Sequence, residues 1–197
     1  MVEERNYLIH PHYLALGLLL AGITTLFLGF SAAYLYNRFQ SGMEPLQLPW
    51  LFVFNTVLLI ATSFILKYAN QCYISDQTRK YQYALGITLL ITLVFLASQI
   101  IAWRQMYAQG IFVNYNNMAS YLYIISGVHF AHVIGGIPFL TLFLIKSVKE
   151  MKEPVSVLIY FSDPDKLRKL NLLTIYWHFL DALWVYLVIF FLVNSIL

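Results

Sequence analysis

Five stretches of the chain run with almost no Asp, Glu, Lys or Arg, and short charged or amide-rich segments separate them. They cover residues 14–37, 49–66, 81–103, 120–145 and 171–197. A helix rising ~1.5 Å per residue needs ~20 apolar residues to cross ~30 Å of hydrocarbon, so each stretch predicts a transmembrane helix. Barrel strands would be ~10 residues of alternating polarity, and these runs are continuous. The tail from Met1 to Tyr13 carries Glu3 and Glu4 and leads into a span too long for a signal-peptide core, so the first span is expected to be retained. Ten of the 12 Lys and Arg lie in the amino-terminal tail, the Lys67–Lys80 segment and the Lys146–Lys169 segment, whereas the other two connections hold Arg38 and Arg104. By the positive-inside rule the amino terminus is cytoplasmic and the carboxyl terminus outside. The predicted fold class is an all-α membrane protein, a five-transmembrane-helix bundle forming a single domain over residues 1–197.

Composition sharpens this picture. The 197 residues are 60% apolar and 11% charged, against ~25% charged in soluble domains, so lipid must solvate much of the surface. A net charge of +3 comes from cations confined to the gaps between spans, with no basic face, which excludes nucleic acid as a partner. The one cysteine, Cys72, forms no CxxC or CxxCH pattern, which removes thiol-redox pairs, iron–sulfur clusters and covalently attached haem. Walker A, GxGxxG, HExxH and GxSxG patterns are also absent.

Polar side chains inside a bilayer are costly, so the few present are the candidates for function. The fourth span holds Gly127, His129, Ala131, His132, Gly135 and Gly136, with the histidines at i and i+3 on one face. Its small residues Gly127, Gly135 and Gly136 predict close helix packing, and Pro138 a kink. The fifth span aligns Trp177, Asp181 and Trp184 at i, i+4 and i+7, with His178 beside them, and Asp181 is the only charged residue in any span. Depth tests whether these histidines share a haem iron. His132 lies 14 residues from Lys146, ~21 Å, and His178 lies 9 from Lys169, ~13 Å, so the levels differ. Asp181, 12 residues in at ~18 Å, comes closer to His132, and an interhelical His132–Asp181 hydrogen bond is the expected pairing. A proton relay or small transporter built on the His/Asp cluster, and a free-standing b-type cytochrome, are the alternatives.

The fifth-span segment YWHFLDALWVYLVIFF is similar to the carboxyl-terminal signature of the cytochrome c oxidase subunit III family, through Tyr176, Trp177, His178, Phe179, Asp181 and Trp184. The fourth-span segment SGVHFAHVIGG resembles the same family's GxHxxHVxxG pattern through Gly127, His129, His132, Val133 and Gly136. The resemblance implies a five-helix bacterial form, lacking two helices of longer members, in the bacterial cytoplasmic membrane. It implies a non-catalytic accessory subunit of a respiratory haem-copper oxidase, partnered by catalytic subunit I, subunit II and other oxidase subunits, with a larger respiratory assembly left open. Haems and copper are expected in the partner subunits, none on this chain, with structural phospholipid and support of proton uptake as the implied roles. Gly22-Ile23 stands where many members carry a first-helix carboxylate, so no relay through that acid is implied here. Quinol oxidase and nitric oxide reductase relatives fit the same pattern.

Overall fold

A computed structural model describes residues 10–41 and 47–196. The amino-terminal tail with Glu3, Glu4 and Arg5 lies outside the described residues, as do residues 42–46 and 197. Five long helices form: α1 Pro11–Ser41, α2 Trp50–Ile74, α3 Thr78–Ala108, α4 Asn117–Glu150 and α6 Pro164–Ile196, with a short α5 Pro154–Phe161 between the last two. All five long helices are long and apolar enough to cross a membrane. They overrun the predicted spans at most ends because charged residues mark where hydrocarbon stops, whereas a helix stops where its backbone is capped.

Those caps are visible. Asn116 accepts a hydrogen bond from the Ala119 N–H at 2.7 Å and starts α4. Asp163 accepts from the Asp165 N–H at 2.9 Å, with Pro164 at the first helical position of α6. Between Lys146 and Lys169 the sequence reading placed only a connection, and Pro154, which suits a first turn, instead opens α5. Pro138 sits inside α4, which continues through it to Glu150. Asp76, with φ 55°, turns the chain sharply between α2 and α3 and makes them an antiparallel hairpin with the most extensive pairing in the bundle.

α6 touches α1, α2, α4 and α5, and α4 touches α1, α3, α5 and α6, so these two helices knit the bundle together. α6 runs parallel to α1, tied at one end by Arg168 to His10 at 2.9 Å and at the other by Arg38 to Asn194 at 2.6 Å. Two apolar cores stack along the bundle. One contains Phe52, Phe95, Leu180 and Trp184, and the other contains Leu66, Tyr81, Leu140, Tyr160 and Trp177. Thr62, Thr88 and Thr92, all buried, fall between the core residues of their helices, so a polar layer separates the two cores. The exterior is the reverse of a soluble protein: Leu18 is 68% and Phe64 70% exposed, whereas Asn55, Gln99 and His129 are fully buried.

Candidate functional site

The motif residues of α4 and α6 meet α2 and α3 in the interior. Trp184 stacks on Phe52 with ring centroids 5.5 Å apart, meets Phe95 edge-on at 5.3 Å and packs on the His129 imidazole at 4.9 Å. His129 is wholly buried, and neither its ring nitrogens nor Trp184 Nε1 have a hydrogen-bond partner among the described residues. Near this aromatic box Asn55 donates to Gln99 at 2.9 Å, joining α2 to α3.

Asp181 occupies the polar layer and turns to α2, where its Oδ2 lies 3.4 Å from the Thr62 hydroxyl, which donates at 2.7 Å to the Leu59 carbonyl. His178 Nδ1 makes a short hydrogen bond with the adjacent Ser63 hydroxyl. His132 does something different: its Nδ1–H donates to the Val128 carbonyl at 2.7 Å, one turn back on its own helix, and its ring lies 6.1 Å from that of Phe27 on α1. The expected His132–Asp181 hydrogen bond is therefore not formed. Similar depth brought the two to a similar level, but α4 and α6 present them to different neighbours, and His132 found a carbonyl on its own helix while Asp181 found α2. The helices are instead joined at this level through Tyr176, whose hydroxyl donates to the His132 carbonyl at 2.9 Å.

The three glycines also divide. A Cβ on Gly136 would lie 2.7 Å from Trp177 Cζ3 and 3.1 Å from Tyr176 Cε1, so here the absence of a side chain seats the α6 aromatics. A Cβ on Gly127 or Gly135 would meet nothing within 4 Å, so these two do not hold a neighbouring helix within the chain. Gly135 and Ala131 instead form part of the wall of a groove of about 830 Å³ between α1, α4 and α6, with Leu16, Leu19, Phe139 and Tyr176.

This groove has apolar walls and a charged mouth carrying Lys146, Lys166, Lys169, Asp163 and Asp165. Lys166 is already engaged, 2.7 Å from Glu150 and 4.0 Å over the Tyr160 ring, while burial holds the Tyr160 phenol above its ordinary pKa and so neutral. Lys146 and Lys169 are exposed beside it. An apolar cleft with exposed ammonium groups at its mouth can take an amphiphile with an anionic head. The groove was not foreseen because it depends on which way Ala131 and Gly135 face, and a small residue has the same appearance in sequence whether it admits a helix or leaves a space.

The family profile described as cytochrome c oxidase subunit III matches residues 38–195. Cytochrome c oxidase subunit 3 of Bacillus sp. (strain PS3) is 29% identical over 191 residues, covering 93% of this chain and 87% of the relative. The subunit 3 of Thermostichus vulcanus is 28% identical over 184 residues, covering 90% and 86%. That of Gallus gallus is 25% identical over 145 residues, covering 74% of this chain and 49% of the longer vertebrate protein. With the profile spanning every helix from the end of α1 to the end of α6, and with five apolar helices to carry it, this multi-pass membrane protein belongs to the cytochrome c oxidase subunit III family.

Proposed function

We propose that the chain is the non-catalytic accessory subunit of a respiratory haem-copper terminal oxidase in a bacterial cytoplasmic membrane. In this reading subunits I and II hold the haems and copper and carry out oxygen reduction and proton pumping. This chain stabilises the catalytic subunit, holds phospholipid and supports proton uptake. The observation that carries the reading is the family match over residues 38–195, joined to an interior in which His132, His178 and Asp181 are engaged within the bundle and His129 is packed among aromatic rings. Helices so joined make a rigid wall against which a larger subunit can pack.

The groove supports the lipid part. Its 830 Å³ falls within the ~300–1,000 Å³ of small-molecule sites, its apolar walls suit an acyl chain, and Lys146 and Lys169 at the mouth suit a phosphate. The test is purification in mild detergent, with a subunit inventory, an absorbance spectrum and mass spectrometry of retained lipid. Co-purification with two larger haem- and copper-containing subunits and bound phospholipid is expected. Recovery of this chain alone, stable and in full yield from membranes that make the oxidase, would refute the assignment.

A further inference from the structure

At the mouth of the groove the residues just before α1 meet the first turn of α6. Arg168 Nη1 lies 2.9 Å from His10 Nε2 and 2.7 Å from Asp165 Oδ1. A guanidinium only donates, so His10 Nε2 must be the unprotonated nitrogen and the proton sits on Nδ1. Nδ1 in turn lies 3.0 Å from Nδ1 of His12 and 3.4 Å from the His12 backbone N–H, and the two rings stack at 4.8 Å. In the arrangement in which Nε2 accepts from Arg168, a second proton on His10 enters at Nε2, against the guanidinium.

We propose that His10 is a proton-operated latch on the groove: neutral, it accepts from Arg168 and ties the start of α1 to the start of α6; protonated, it releases that tie. Among the described residues, the groups that face it are Arg168 and Asp165 from α6 and His12 from its own segment. Desolvation at the contact, then the Arg168 charge and His12, lower its proton affinity from the ordinary imidazole value, and Asp165 opposes them. The sign follows: the closed arrangement binds His10's second proton more weakly than the open one, so closure is complete above the ordinary imidazole pKa of ~6.5 and is lost as pH falls below it. Leu16 and Leu19, two to three turns on, form the α1 wall of the groove, so freeing this end of α1 widens the groove where its lysines stand. The consequence for a bound amphiphile rests on the phospholipid reading above, whereas the latch itself does not.

Spin labels on Leu14→Cys and Ser162→Cys, both exposed positions outside the latch, would report the separation by pulsed electron resonance in the purified oxidase complex in lipid nanodiscs. Cys72, 2% exposed, stays unlabelled. A single short distance is expected at pH 8. At pH 5.5 a longer population appears, with the open-to-closed ratio rising by up to about tenfold, one proton's linkage over one pH unit. His10→Gln keeps an oxygen to accept from Arg168 but does not titrate, and stays closed at both pH values. His10→Lys, permanently charged, is open at both. A wild-type distance that does not respond to pH, or a His10→Gln variant that opens on acidification as the wild type does, overturns the latch. Lipid mass spectrometry on the same samples separates the two ideas: a pH-dependent distance without retained phospholipid leaves the latch standing and removes the lipid reading, and retained phospholipid with a fixed distance does the opposite.

Discussion

Gly136→Ala adds one methyl group at the tightest glycine in the bundle. Its carbon would sit 2.7 Å from Trp177 Cζ3, against the ~3.5–4.0 Å at which carbons rest, so ring and helix must separate by about 1 Å. Trp177 is 1% exposed and packed in the second apolar core, so it has nowhere to retreat. Such overpacking costs about 1–3 kcal/mol, offset by about 1 kcal/mol from the better helix propensity of alanine. Gly135→Ala isolates the offset, since its Cβ meets nothing within 4 Å and only the propensity gain remains. The two neighbouring variants should therefore differ by about 1–3 kcal/mol, and at ~2–4 °C per kcal/mol for a chain of this size Gly136→Ala should melt at least about 2 °C below Gly135→Ala. A thiol-reactive fluorogenic dye serves as the assay, because the only cysteine, Cys72, is buried and reacts when the bundle opens. Trp177→Phe in the Gly136→Ala background removes the offending ring and should recover part of the loss, giving less than additive destabilisation. Equal melting of the two alanine variants would refute the contact.

Other perturbations probe the polar interior and the groove. Asn55→Leu or Gln99→Leu alone strands a buried amide and should cost about 1–3 kcal/mol, while the double substitution should cost less than the sum, read in the same melting assay. Thr62→Ala and Asp181→Ala should couple by about 0.5–1 kcal/mol, and His132→Ala with Asp181→Ala should add within about 0.5 kcal/mol, because those two share no partner. Strong coupling of the latter pair would restore the pairing expected from depth. Gly135→Leu places four carbons in the groove with the Cβ clear of every neighbour, so it should lower retained phospholipid severalfold at unchanged chain yield, measured by mass spectrometry.

Charge-free runs located all five long helices, because in a bilayer the cost of a stray ion is large enough to be written plainly into composition. The family patterns around His129 and Asp181 likewise pointed to the side chains that gather in the interior. Partner choice was not legible. His132 and Asp181 sit at comparable depth, yet depth is one coordinate and helix rotation another, and only the packed bundle reveals that Asp181 looks to Thr62 and His132 to its own helix. The amides Asn55 and Gln99 had the same appearance as ordinary packing residues, since nothing local ties residues 44 positions apart. The cation that gives His10 its character is 158 residues away, so no local pattern announces their contact. α5 escaped notice because eight residues between charged flanks carry too short a pattern to stand out.

The parallel alignment of α1 and α6 bears on how the protein is made. Arg38 leaves the ribosome 156 residues before Asn194, the amide oxygen that receives it at 2.6 Å. During translation the first segment therefore waits with an unmatched guanidinium while four more segments insert, and the bundle closes its seam only when the last one arrives. A nascent chain arrested before Asn194 would present that open seam to quality-control proteases and so be shorter-lived than its hydrophobic content alone would suggest.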